Sequence, residues 1–210
     1  MRSTDAETGK LVSAQEHYDR LIESGNDPVL DPPQLAAYMD GWDGEALMDA
    51  LRLTPDCRVL EIGVGTGRLA LKVLRAGCAS FTGMDISRPT LRRAQEHLSG
   101  FAHASLMQGE FPKDAPAGPF DRIYSSLTFL HIRDKRAACR RIASLLAPGG
   151  ICVLSLDREG SGLIDMGKWA VETFPDNAEQ IASLLTECDL SVQPIRPLER
   201  AFLIVAERTQ

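Results

Sequence analysis

The run Val59-Leu60-Glu61-Ile62-Gly63-Val64-Gly65-Thr66-Gly67 limits the fold of this chain more tightly than any other segment. Val59, Leu60 and Ile62 suit a buried strand. Glycines at 63, 65 and 67 permit positive φ and let a ligand lie against bare backbone. Leu69, Ala70, Val73 and Leu74 then repeat at helical spacing, so the glycine turn joins a strand to a helix, and a ligand sits where the two meet.

The spacing of the glycines separates two ligand classes. A dinucleotide fingerprint G-x-G-x-x-G needs glycine at position 68, where this chain has Arg68. The pattern here is E-x-G-x-G-x-G, and in it the chain resembles the class I S-adenosylmethionine-dependent methyltransferases. The resemblance implies that Glu61 lies near the methionine ammonium of the cofactor and that Gly63, Val64, Gly65 and Gly67 pass beneath its methionyl and ribose parts. The charge agrees: a cationic ligand without phosphates wants a carboxylate here, whereas a pyrophosphate would be repelled by one.

Further segments extend the resemblance over residues 57 to 157. Phe81-Thr82-Gly83-Met84-Asp85-Ile86 reads as a second apolar strand ending in an acid. A carboxylate there accepts from both ribose hydroxyls, a role shared by NAD and S-adenosylmethionine folds; the plainer reading makes Asp85 a helix cap. After a short strand around Ser105 to Met107, Gln108-Gly109-Glu110-Phe111 offers Glu110 where the family usually has Asp. By resemblance Gly109 and Glu110 hold adenine and their neighbours cover the ring; Phe111 and Ile86 are counted among the cofactor residues. The segment from Phe120 to His131 reads as a fourth strand with its outgoing loop, and Ser126 joins the cofactor residues. Leu145 to Gly150 resembles the family's helix-ending motif before a fifth strand. The implied fold is α/β: a Rossmann-like, doubly wound sheet of seven strands in the order 3-2-1-4-5-7-6, mostly parallel with strand seven reversed, carrying an N-terminal helical cap.

The methyl acceptor is expected beyond the fourth strand, since open parallel sheets bind ligands past the strands' carboxyl ends. His131 lies there. A neutral imidazole could take a proton from an acceptor hydroxyl or amine, or else pack against Phe129 or bond loop backbone. Tyr18 and Trp42 are further acceptor-pocket candidates, with Tyr38 beside them; the plainer reading makes Tyr38 and Trp42 packing anchors, while Tyr18, in the polar helix stretch His17-Tyr18-Asp19, has less obvious core duty. The chain lacks the [ND]-P-P-[YF] motif of enzymes that methylate amino groups of nucleic acids, Ser125-Ser126-Leu127-Thr128 standing in its place, and lacks a Pro-Cys pair for attack on cytosine.

Composition narrows the partners. The 210 residues suit one domain with a full core, with residues 1–53 expected as a helical extension and 54–210 as the cofactor-binding core. A net charge of −6 argues against nonspecific binding to nucleic acid or membrane surfaces. Five scattered cysteines without a C-x-x-C pair suit reduced thiols rather than disulfides or a metal centre, and with no long apolar stretch or signal-peptide core they point to the cytoplasm.

About ten unstructured residues are expected to open the chain, followed by a helix near Val12 to Ser24 and a further region around Pro33 to Leu53. Gly77 and Gly100 should close helices, Ser87 and Asp134 should cap them, and Asp176 with Glu179 should form a capping box. Gly167 to Phe174 looks extended, and Val192 to Glu207 reads as a closing hairpin. The glycine-bearing loop Asp157 to Lys168 is either a lid or a simple solvent loop. Functionally, the resemblance implies transfer of a methyl group from S-adenosylmethionine to a small molecule. A noncatalytic module that senses this cofactor or its demethylated product, and an NAD-dependent oxidoreductase, are the alternatives.

Overall fold

The apolar run before the glycines lies in the middle of a sheet, paired on both sides, which is why it tolerates no alternation of polar residues. The computed structural model describes residues 9–209. In chain order the elements are β1 (Lys10–Val12), α1 (Ala14–Glu23), α2 (Pro33–Met39), α3 (Gly44–Leu51), β2 (Arg58–Ile62), α4 (Arg68–Ala76), β3 (Ser80–Asp85), α5 (Arg88–His97), β4 (Ala104–Gln108) and β5 (Phe120–Ser126). A 3-10 turn at Phe129–His131 leads into α6 (Lys135–Leu145), β6 (Leu146–Asp157), β7 (Leu163–Asp165), β8 (Trp169–Glu172), α7 (Ala178–Thr186), β9 (Leu190–Val192), β10 (Arg196–Pro197) and β11 (Ala201–Arg208).

The main sheet runs β10-β11-β6-β5-β2-β3-β4, with β9 also on β11. The five strands from β4 to β6 are parallel and β11 is antiparallel to β6. This is the expected order, with the sixth position split between the short strands β9 and β10, each antiparallel to a different part of β11. Successive residues of β2 face opposite sides. Leu60 and Ile62 join the core under α6 and α7, whereas Val59 joins the core under α3, α4 and α5. That alternation puts Glu61 on the α3/α4 side, opposite Tyr124 of β5 in register.

Helix starts follow local chemistry. The Ser87 hydroxyl accepts from Thr90 N–H, and the Asp134 carboxylate accepts from Ala137 N–H. The capping box expected at Asp176 is corrected: Asn177 caps α7 by accepting from Gln180 N–H, while buried Asp176 pairs with Lys135 at 2.5 Å. A carboxylate taken out of water is satisfied by the ammonium that shares its burial. At the other end of α5, Leu98 rather than Gly100 occupies the C-cap.

The N-terminal segment contributes α1, α2 and α3 and, in addition, a strand. The unstructured opening expected there lies outside the described residues up to position 8; from Lys10, β1 pairs in parallel with β8, which pairs with β7. The segment expected as a lid or solvent loop is therefore partly a hairpin of this small second sheet. α3 belongs to the core, with Leu47 and Leu51 fully buried; each such side chain contributes about 1.5–3 kcal/mol. Along this segment the change from polar to apolar packing falls near Asp43.

Candidate functional site

The carboxyl ends of β2, β3, β4 and β5 open onto one cavity of about 710 Å³. Its floor is made by Glu61, Gly63, Val64 and Gly65 after β2, Asp85 and Ile86 after β3, Gly109, Glu110 and Phe111 after β4, and Ser126, Leu127 and Thr128 after β5. Its roof comes from the N-terminal segment, through Tyr18, Asn26, Pro28, Leu35 and Met39, and its far wall from His131, Ile132 and Phe174.

The glycines of the turn have different tasks. Gly63 has φ +80°, and a Cβ there would lie 1.9 Å from Thr128 Oγ1, so the close approach it permits is to the β5 loop of the chain itself. Gly65 has φ +56°, a Cβ there would meet nothing, and its N–H donates to Asp85 Oδ2 at 2.9 Å. The open side of the turn is thus at Gly65, on the cavity wall.

Two carboxylates dominate the floor. Glu61 is buried and accepts a hydrogen bond of 2.8 Å from the Tyr124 hydroxyl, its cross-strand neighbour. Burial pushes its carboxyl well above the usual range, against the opposing effects of Tyr124 and of the Arg68 charge. Asp85 accepts from Gly65 N–H on one oxygen and Ser87 N–H on the other, each at 2.9 Å. Burial raises its pKa while these backbone donors pull it down. Both oxygens keep a lone pair for a ligand.

Behind the floor stands a polar group that the sequence reading did not find. Asp43, at the start of α3, has a fully buried side chain and receives Arg68 Nη1 at 3.0 Å, Arg68 Nη2 at 2.5 Å, the Ser126 hydroxyl at 2.7 Å and Gly44 N–H at 2.6 Å. Arg68, which occupies the place of a dinucleotide glycine, is thereby fixed on the cavity wall near Glu61.

Tyr18 and His131, separated by 113 residues in sequence, meet: the phenol oxygen lies 2.9 Å from His131 Nε2. Burial and the neighbouring His17 and Lys135 lower the His131 pKa to about 4, so the ring is neutral near pH 7. Next to Tyr18, His17 is buried and its Nδ1 accepts from Trp169 Nε1–H at 3.0 Å, tying α1 to β8.

Residues 59–150 match the methyltransferase domain family. The chain belongs to the class I S-adenosylmethionine-dependent methyltransferase family. An uncharacterised methyltransferase of Mycobacterium tuberculosis is 39% identical over 111 residues, covering 50% of this chain and 53% of the relative. Another from Geobacillus kaustophilus is 33% identical over 143 residues, covering 67% of this chain and 61% of the relative. The chain thus spans about half to three fifths of the length of these relatives. The crystal structure of the N-methyltransferase NodS from Bradyrhizobium japonicum, in complex with S-adenosyl-L-homocysteine, has a TM-score of 0.71 at 21% identity, covering 95% of this chain and all of that one, a likeness of fold.

Within this methyltransferase-family chain, three of the residues picked from sequence, Gly67, Trp42 and Tyr38, lie off the cavity lining. Gly67, at φ +99°, opens α4 and packs toward Leu98. Trp42 is turned away: its Nε1–H donates to Asp157 Oδ1 at 3.0 Å, and Arg200 stacks over it and over Tyr38. Asp157 and Arg200 lie more than a hundred residues away in sequence, which left no local signal for this role. The Glu110 side chain is exposed, and its N–H is held by Asp114. For Asp43 the only sequence signal was an acid one residue before a helix-starting glycine. Among the described residues no helix is long and apolar enough to cross a membrane, no cluster of metal-ligating side chains occurs, and all five cysteines are free.

Proposed function

We propose that the chain binds S-adenosylmethionine in this cavity and transfers its methyl group to a small-molecule acceptor. The observation that carries the reading is the pair of carboxylates on one floor, Glu61 buried behind the open turn at Gly65 and Asp85 with spare lone pairs on both oxygens. When bound, the cofactor supplies a methyl group already activated on a cationic sulfur.

The residues of the chain bind and orient. Glu61 faces the methionine ammonium, and Arg68, held by Asp43, offers the charge that the methionine carboxylate needs. Asp85 takes the ribose hydroxyls, and Gly109 to Phe111 with Ile86 flank the base. Holding two reactants in line is worth about 7–11 kcal/mol of a transfer barrier, so positioning supplies much of the rate. The cavity volume falls within the range of about 300–1,000 Å³ usual for small-molecule sites, and its cover by the N-terminal segment suits an acceptor that fits inside. The net charge of −6 supports an acceptor other than nucleic acid.

Isothermal titration with S-adenosylmethionine, S-adenosylhomocysteine and NADH tests the cofactor. Binding of the two adenosyl ligands without NADH is the expected result, and binding of NADH alone would overturn it. Release of S-adenosylhomocysteine in the presence of small acceptors then tests transfer; saturable cofactor binding with no turnover across oxygen, nitrogen and carbon nucleophiles would favour a sensing module.

A further inference from the structure

The contact between Tyr18 and His131 contains information about which atom the site methylates. His131 Nδ1 is buried and has no hydrogen-bond partner among the described residues, while Nε2 lies 2.9 Å from the Tyr18 oxygen. A neutral imidazole carries one N–H. With the proton on Nδ1, a buried N–H would go unsatisfied, at a cost of about 1–3 kcal/mol. With the proton on Nε2, the buried orphan is only a lone pair, the more tolerable of the two. The second arrangement is favoured: His131 Nε2–H donates to the phenol oxygen of Tyr18, and the phenol O–H must point elsewhere.

That hydrogen has one direction open. Tyr18 lines the cavity, and its hydroxyl has no partner besides His131 among the described residues. Burial and the charge of Asp85 raise the pKa of Tyr18, so the phenol keeps its proton and offers a donor, not a base. No hydrogen bond joins the Tyr18 hydroxyl to Asp85, whose spare lone pairs are assigned to the ribose. Both ring nitrogens of His131 are closed to an incoming molecule, Nε2 by Tyr18 and Nδ1 by burial. The proton-accepting role expected of His131 from sequence therefore does not suit this geometry.

We propose that Tyr18 is the residue that meets the methyl acceptor, that His131 is a positioning residue fixing the phenol as a donor into the cavity, and that the acceptor presents an ionised oxygen acid, a carboxylate in the simplest case. A neutral amine has a single lone pair, which a donor would occupy at the expense of nucleophilicity. A carboxylate has lone pairs to spare, so it can be held by Tyr18 through one while attacking through another. It also arrives without a proton. One oxygen pair forms the new C–O bond, the pair of the broken C–S bond stays on sulfur, the products are an ester and a neutral thioether, and no base is required. This rests on the methyltransferase reading for the donor of the methyl group, while the tautomer assignment stands independently of it.

Imidazole ¹⁵N NMR of the ligand-free protein, with His131 assigned by comparison with His131→Asn, reads the tautomer directly. A protonated Nε2 and bare Nδ1 are expected; protonation at Nδ1 overturns the proposal. The same signal is then followed in protein saturated with S-adenosylhomocysteine on titration with acetate and with methylamine. Acetate should shift it, methylamine should not, and Tyr18→Phe, which keeps the ring and removes the hydroxyl, should abolish the acetate response. An acetate titration that leaves the signal unmoved, a response to methylamine instead, or an undiminished acetate response in Tyr18→Phe overturns the acceptor class. Failure of S-adenosylhomocysteine to bind by calorimetry would sink the methyltransferase reading separately, leaving the tautomer result to be judged alone.

Discussion

The floor and roof of the cavity are built from different interactions. The floor rests on strands whose side chains fill two apolar cores, one on each face of the sheet. The roof has little of this: α2 buries no residue and α1 buries only His17. Its attachment is polar, through Asp19 to Ser87 at 2.7 Å, Asp27 to His97 at 2.9 Å, Tyr18 to His131, and His17 to Trp169. Apolar burial is additive and nondirectional, whereas a few exchangeable hydrogen bonds can be traded for water at about 0.5–1.5 kcal/mol each. On that ground the cover is expected to open more readily than the base.

The largest test of this contrast is at the seam. Asp43→Ala leaves the Arg68 guanidinium without its buried partner and should lower unfolding stability by about 3–5 kcal/mol in chemical denaturation. A loss below 1 kcal/mol, on the order of a surface pair, would mean that the roof and floor are not joined there. Next in size, Asp85→Ala removes the proposed ribose partner and the acceptor for Gly65 and Ser87, and should weaken cofactor binding by about 1.5–3 kcal/mol in calorimetry. Unchanged affinity would take Asp85 out of the floor.

Proton linkage sharpens the electrostatics of the floor. The folded, ligand-free Glu61 has a raised pKa, chiefly through burial, and a cationic group beside it favours the carboxylate. Cofactor binding should therefore release a proton below that raised pKa, and affinity should increase with pH until the pKa is passed and then level off. Calorimetry in two buffers of different ionisation enthalpy checks the sign; proton uptake would contradict it.

Two smaller effects address the roof. Backbone amides of α1 and α2 should exchange with solvent faster than those of β2 and β5, and equal protection would make the cover as rigid as the base. Trp42→Phe removes one hydrogen bond to Asp157, should cost about 0.5–1.5 kcal/mol in stability, and should leave cofactor affinity unchanged. A loss of affinity would bring Trp42 back to the site.

The same contrast decides what could be read from sequence. The floor is local: Glu61 and Asp85 each end an apolar strand and precede a turn and a helix, so periodicity, glycine spacing and a terminal acid sufficed to place them. Even there the meaning of single residues was not visible. The freedom of Gly63 serves Thr128 from a loop 65 residues further on, and Asp176 looks like a cap until Lys135 is seen to share its burial.

The sequence by itself determined the alternation of strands and helices, the strand ends that carry the acids, and the family, because these depend on contacts within a few residues. Only the tertiary structure decided that β1 pairs with β8, that Asp43 holds Arg68 and Ser126, that Trp42 turns toward Arg200, and that Tyr18 closes on His131. Each of these joins groups far apart along the chain through a few directional contacts, and such contacts leave no period in the sequence for a reader to find.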